Sequence, residues 1–517
     1  MVATRKCLVS HYFLQIDRGE YEEPPIVYAL KANIYAPSLG SEDATLARVE
    51  AQIHDMVACM LRYCPAAASR VFTGYRGQYT ALHSAVFHGR YTTTIDLLLR
   101  TERQRQVSSA AAVQPNRSSQ AALLANTQGE MPLHFSAMRG ERSRTVALIA
   151  QAAPEAICAR DASGLTPFHW LWIRFVCNML ALDRDGRGEA STMALETAAS
   201  SNNNNNRPDN APTTLTQVSP YAAFSSLEQG DFDRDLQLIK RMDPPVDFLR
   251  MRHIPTEVLG PRDCFRWAEQ SVHVLKQVRE RYQEQQTAAS DDDDGEEATI
   301  WNRREVVSSL FWTKAVALLE AVQPILQDGP QGENILVHTA FCTPSCTPAV
   351  VSVVAALYPE ELSQPDAKGR WPVHYAAQRP WHVWDFPREG PVHEVPASAT
   401  LLMRETMRVL CLAIDLSPPI SLSTPDGSKR WVLHQVIDTL SLATARSLDW
   451  PNLAQEMLQL VDEFVQIYPE VLNKVDGRTK LLPFLQATAQ EDAAELFSVS
   501  LSFQLLRMDP TVLGSLS

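Results

Sequence analysis

Asp161-Ala162-Ser163-Gly164-Leu165-Thr166-Pro167-Phe168-His169, followed by Trp170 and Leu171, reads as a turn that runs straight into a helix. Gly164 suits a tight turn, Thr166 can cap a helix through its side-chain oxygen, and Pro167 falls at the first helical position, where a missing N–H costs nothing. The pattern returns at Met131-Pro132-Leu133-His134 after Gly129, at Trp371-Pro372-Val373-His374 after Gly369, and at Thr80-Ala81-Leu82-His83. Looser copies stand at Leu336-Val337-His338 and Val432-Leu433-His434. The stretch is therefore one unit of a repeat.

A second marker gives the same period. Apolar helical runs end in proline at Pro154, Pro359, Pro419 and Pro469, and His169, His374, His434 and Phe484 each stand 15 residues later. His134 and His169 are 35 residues apart, His338 and His374 are 36 apart. Longer gaps between other copies call for inserted loops.

At these residues the chain resembles the ankyrin-repeat family, whose T-P-L-H-x-A turn motif recurs with a period of roughly 33 residues. Met131 takes the place of the family's threonine, Phe168 of its leucine, Ala81 of its proline and Phe484 of its histidine. The aromatic-proline-glutamate endings, Tyr358-Pro359-Glu360 and Tyr468-Pro469-Glu470, are similar to those of a divergent branch of long algal ankyrin-repeat proteins. The resemblance covers most of 55–176 and 301–490. It implies an all-α solenoid of stacked helix pairs with hairpin loops, interrupted by long low-complexity inserts. It also implies that His83, His134, His169, His338, His374 and His434 hydrogen-bond backbone between repeats, as structural rather than chemical residues.

The order along the chain follows. Residues 1–20 read as disordered or as a packed edge. A block over 21–176 opens with a cap: Pro24 to Leu30 has the turn pattern with Val27 in the histidine's place, and Val49, Ile53, Met56, Val57, Met60 and Leu61 keep helical spacing. In the next unit Ala81, Leu82, Ala85 and Val86 line one helix and Ile95, Leu97, Leu98 and Leu99 its partner. After His169 the run Trp170, Leu171, Trp172, Ile173, Phe175, Val176 is more aromatic than the motif needs, so something large must pack there.

An insert spans 177–300. Its Ser- and Asn-rich part, 183–220, lacks the apolar content to fold, and Asp291 to Glu297 holds six acids in a solvated tract within 290–297. Between them, Cys264 to Tyr282 reads as an amphipathic helix. Trp301 to Val322 then supplies the displaced second helix of the third unit. Helix pairs resume over 301–510, with a terminal cap near Leu496 to Leu506.

Composition narrows the chemistry. The chain has 517 residues with 60 acidic against 47 basic, a net charge of −13, which argues against a general nucleic-acid binder. Nine cysteines, most in apolar helical stretches and without regular spacing, point to reduced thiols and an intracellular setting, cytoplasmic or nuclear. No signal-peptide core follows Met1, and the best apolar run, Ala349 to Tyr358, is half the length of a membrane span. Cys342 and Cys346 have near-ligand spacing but no second pair beside them, so no metal or other cofactor is expected. Walker, nucleophile-elbow, zincin and dinucleotide signatures are missing from the sequence.

Two functions from different classes fit. The first is a non-enzymatic scaffold, monomeric and engaging a protein partner rather than nucleic acid or membrane, through residues the repeat leaves free: Arg139, Lys368, Arg370, Gln378, Arg379 and Lys429. The alternative is that 221–283 carries its own enzymatic, phosphate-binding or acidic-peptide-binding activity, with Arg250 and Arg252 as bidentate donors and the repeats as a specificity arm.

Overall fold

A computed structural model describes residues 25–31, 42–74, 77–109, 119–139, 143–179, 261–288, 303–326, 329–332, 335–379, 397–446, 450–489 and 495–516. Helices dominate them. The N-terminal block holds α1 (Pro25–Lys31), α2 (Glu42–Tyr63), α3 (Ala81–Phe87), α4 (Thr92–Ser109), α5 (Gln120–Leu123), α6 (Pro132–Met138), α7 (Ser143–Ala152) and α8, residues 167–179. Then come α9 (Pro261–Ala288) and α10 (Arg303–Val322). The C-terminal block contains α11 (Leu336–Cys342), α12 (Pro348–Leu357), α13 (Pro359–Leu362), α14 (Pro372–Ala377), α15 (Ala397–Leu416), α16 (Pro419–Leu422), α17 (Val432–Arg446), α18 (Trp450–Ile467), α19 (Pro483–Thr488) and α20 (Glu495–Met508).

The sequence gives no strand in its first unit, yet one sheet is present among the described residues. β1 (Val71–Gly74) and β2 (Gly77–Thr80) pair antiparallel, with Phe72 opposite Tyr79. Aromatic and β-branched residues facing each other across a short connection outweigh the helical context on either side.

Short helices pack on one another in chain order: α1 on α3 and α3 on α6 in the first block, then α11 on α14, α14 on α17 and α17 on α19. The longer helices form a second layer, α2 with α4 and α4 with α7, then α12 with α15 and α15 with α18. Each short helix is also packed on the longer one that follows it, as α3 is on α4, α6 on α7, α14 on α15 and α19 on α20. Of the apolar positions expected in the first unit, Ala81, Leu82, Ala85, Val86, Ile95, Leu98 and Leu99 are buried and Leu97 is half-buried against them. Met56 is the exception in the cap helix, 40% exposed.

The surplus aromatics of α8 meet α10. Trp172 and Phe175 stack around Phe311, with ring centroids 5.6 and 4.6 Å away. α10 also packs along α7, and the buried Lys314 donates from Nζ to the carbonyls of Ser136, at 3.0 Å, and Arg139. This ammonium satisfies carbonyls at the C-terminal end of α6, where a helix dipole favours a cation. The amphipathic helix expected at Cys264 to Tyr282 is α9, longer at both ends, and it lies against α10 and α12 with Ala268, Leu275 and Val278 buried. So this part of the insert belongs to the core. The segments 1–20, 183–220 and 290–297 fall outside the described residues, as do Arg250 and Arg252. No helix among the described residues is long and apolar enough to cross a membrane.

Candidate functional site

Four turns share one hydrogen-bond scheme, built from an Asx residue at the first position, and a fifth follows a variant of it. Asn126, Asp161, Asp366 and Asp426 each accept two backbone N–H groups on one side-chain oxygen, from the second and fourth residues onward: Gln128 and Glu130, Ser163 and Leu165, Lys368 and Arg370, Ser428 and Arg430, all at 2.8–3.0 Å. Asp476 accepts from Arg478 and Thr479 at 3.2 and 3.0 Å. Each Asx N–H in turn donates to a carbonyl that closes the loop, for example Asp366 to Arg370 at 2.9 Å and Asp426 to Arg430 at 2.9 Å. Asp and Asn hold such turns because their short side chains reach their own downstream backbone.

The second carboxylate oxygen ties the turn to the helix it precedes. Trp170 Nε1 donates to Asp161 at 2.9 Å, the Tyr375 hydroxyl to Asp366 at 2.7 Å and Gln435 Nε2 to Asp426 at 3.0 Å, each nine residues on. The carboxyls of Asp366 and Asp476 stay below the usual carboxylate range: burial alone would raise them, but backbone and side-chain donors outweigh it. The position with left-handed backbone is Gly129, Gly164 and Gly369 in three turns, with φ of 73°, 79° and 71°. Lys429 and Lys480 adopt the same region at 59° and 62°.

Neighbouring turns touch directly. The Ala162 N–H donates to the Gln128 carbonyl at 2.8 Å, Ala367 to Gln331 at 2.9 Å, and Gly477 to Lys429 at 2.8 Å. At Gly427 a Cβ would collide with the Lys368 carbonyl oxygen, which brings those two turns into van der Waals contact.

The histidines brace the start of the short helices. Nδ1 of His83, His134, His169 and His374 accepts the N–H of Thr80, Met131, Thr166 and Trp371 at 3.1–3.2 Å. That bond leaves the proton on Nε2. His83 Nε2 donates it to the Glu130 carbonyl and His434 Nε2 to that of Leu481, both at 3.1 Å, each bond reaching the next turn. Burial pushes His83, His134, His338 and His374 from 6.5 down to about 4. All four are neutral at neutral pH. Among the described residues Nε2 of His134 and of His374 has no hydrogen-bond partner, so the expected bond between repeats is not made there, and His338 departs further: neither of its ring nitrogens has a partner, and its ring lies edge-on to Tyr375 with centroids 5.9 Å apart. Pro132 and Pro372 open α6 and α14 and are buried, and Pro167 opens α8. Thr80 caps α3 through its hydroxyl, which accepts from the His83 N–H at 3.3 Å.

His169 differs in a way the sequence gives no sign of. Its Nε2 lies 3.0 Å from both oxygens of Glu405, a residue of α15 more than two hundred positions away. Burial would raise the Glu405 carboxyl, but His169, followed by Arg379 and Arg160, holds it below the usual range. Thr166 donates its hydroxyl to the Ser345 carbonyl at 3.2 Å, joining the same two blocks. Burial pushes the Cys342 and Cys346 thiols beside this cluster up to about 12, so both are protonated and poor nucleophiles. Among the described residues no group of three or more His, Cys, Asp or Glu side chains could hold a metal ion.

The expected contact residues divide. Lys429 is exposed at its turn tip. Lys368 is half-buried and its Nζ donates to the Gly329 carbonyl at 2.9 Å; Arg370 is half-buried, 3.8 Å from the Asp426 carboxylate and over the Tyr375 ring. Gln378 is half-buried at the end of α14, and Arg139 lies with its guanidinium 4.3 Å from the Phe87 ring centroid. Arg379 is not on the surface. It is 2% exposed and its Nη2 donates to the carbonyls of Thr343 at 2.7 Å, Pro344 at 3.1 Å and Cys346 at 2.5 Å, closing the loop between α11 and α12. Nη2 alone answers these carbonyls, and among the described residues Nε and Nη1 have no hydrogen-bond partner. Periodicity could not separate it from the half-buried Gln378 beside it. Arg478 and Lys480, which the sequence reading passed over, are exposed on the last turn.

No family model and no curated protein matches this chain. The geometry of the turns therefore carries the functional reading by itself.

Proposed function

We propose that the chain is an ankyrin-repeat scaffold that binds a protein partner through the tips of its turns, without a reaction of its own. The observation that carries the proposal is the row of turns built on one Asx scheme and bonded to one another, which fixes the backbone and leaves the tip side chains to vary. A rigid framework presenting variable side chains is what recognition needs, since little ordering entropy is lost on binding. The neutral histidines and protonated thiols fit a structural use of the residues that sequence alone would offer for chemistry. The alternative, an activity seated in 221–283, is weakened because 261–283, the last third of that segment, lies in α9 and packs against α10 and α12.

The test is cross-linked affinity capture from the native cell with the full chain and with a chain lacking 184–220. A partner recovered in stoichiometric amount by both supports the scaffold. Absence of any partner, together with turnover of a small molecule by the purified protein, overturns it.

A further inference from the structure

The turn tips change character along the molecule. Thr127-Gln128 and Ala162-Ser163 are neutral, whereas the later tips carry Lys368, Lys429, and Arg478 with Lys480. These three basic tips are adjacent, because Gly427 meets the Lys368 carbonyl and the Gly477 N–H donates to the Lys429 carbonyl. Helices packed side by side are 8–10 Å apart, so the charges repeat at about 10 Å.

Lys429, Arg478 and Lys480 are exposed, and among the described residues none of them is in an ion pair. The carboxylates closest in sequence, Asp426 and Asp476, are buried and committed to backbone N–H groups inside the turns. Beside the tips lies an apolar foot. Trp431 is half-buried with Nε1 donating to the Val475 carbonyl at 3.1 Å, Lys474 places its Nζ 5.6 Å from the Trp431 ring centroid, and Val475 is 51% exposed. A cluster of cations on a chain of net charge −13 marks a local departure from the overall balance.

We propose that this face docks an acidic segment of a partner protein, with its carboxylates opposite Lys429, Arg478 and Lys480 and one apolar side chain against the exposed Val475. The proposal rests on the scaffold reading and gives the chemistry of its partner. A short cluster with an apolar foot fits a peptide better than a nucleic acid, which takes a longer basic track and open aromatic faces for its bases. Here Lys474 already covers the indole of Trp431.

The experiment is fluorescence anisotropy with the full chain and a dye-labelled pool of peptides rich in Asp and Glu, each carrying one Leu, Phe or Trp. The control pool has Asn and Gln in place of the acids, and single-stranded oligouridine serves as competitor. Three exposed ion pairs together give about tenfold tighter binding of the acidic pool, falling with salt. The triple variant K429N, R478Q, K480N removes the charges, and asparagine tolerates the left-handed backbone at 429 and 480, so its thermal midpoint stays while the tenfold preference disappears. An unchanged preference in that variant, or displacement of the peptides by oligouridine at lower concentration, overturns the proposal. If the acidic pool shows no preference while the full chain still captures a partner from cells, the basic face is refuted and the scaffold stands; if neither binding is seen, both readings fall.

Discussion

At the scale of single residues the histidines decide what kind of molecule this is. His374 takes the buried Trp371 N–H at 3.2 Å, and truncating it strands that donor in the core. The substitution His374→Ala is expected to cost about 1–3 kcal/mol, read as a lower urea midpoint; an unchanged midpoint would show that the bond contributes nothing. The same burial makes stability depend on pH. In the unfolded chain histidine takes up its proton near 6.5, whereas His83, His134, His338 and His374 accept one only at about 4 when folded. The unfolded state therefore binds more protons between those values, so stability is full above 6.5 and falls as pH drops toward 4. Each histidine withdraws on the order of 3 kcal/mol across that window. Urea midpoints at pH 7.5 and pH 5 test this, and a flat profile would mean that the rings are hydrated. The histidines were legible in the sequence because their spacing repeats. The Glu405 partner of His169 and the burial of Arg379 were not, since both depend on which distant element folds over them.

The turn is the element on which the rest depends. Asp426 accepts two backbone N–H groups on one oxygen and Gln435 on the other, so Asp426→Ala leaves three donors to find water or strain. It is expected to cost about 2–4 kcal/mol. Asp426→Asn should cost less, because Asn126 already performs the same task in its own turn through Oδ1. Chemical denaturation of the pair measures the order, and equal losses would show that charge rather than acceptor geometry holds the turn. The motif around Asp161 made these elements readable, since glycine and proline each impose a local geometry that tertiary packing does not need to supply. The β1–β2 pair escaped notice for the opposite reason: four residues a side give too short an alternation to stand out from the helical pattern around them.

Across the whole molecule, the blocks around 80–179 and 335–489 are joined by two kinds of contact. Polar ties run from Thr166 and His169 to Ser345 and Glu405, while α10 and α9 supply apolar surface between α7 and α12. The amphipathic pattern of α9 was visible in the sequence, but not its destination, because hydrophobic spacing identifies a buried face without naming what covers it. Removing 184–220 and removing 261–288 should therefore have different consequences. The first deletion takes only the Ser- and Asn-rich stretch that lacks the apolar residues to build a core, so helical content and thermal midpoint should be retained. The second strips Ala268, Leu275 and Val278 from their sites and exposes the apolar faces of α10 and α12, including the Tyr358 ring that Arg279 lies over. A loss of several kcal/mol follows from the buried side chains alone, and the two blocks should then unfold in separate transitions as the surface between them opens. Circular dichroism melts with limited proteolysis would resolve the two steps. If the chain without 261–288 melts in one transition at the original midpoint, α9 is an ornament on the fold and the insert regains its claim to a function of its own.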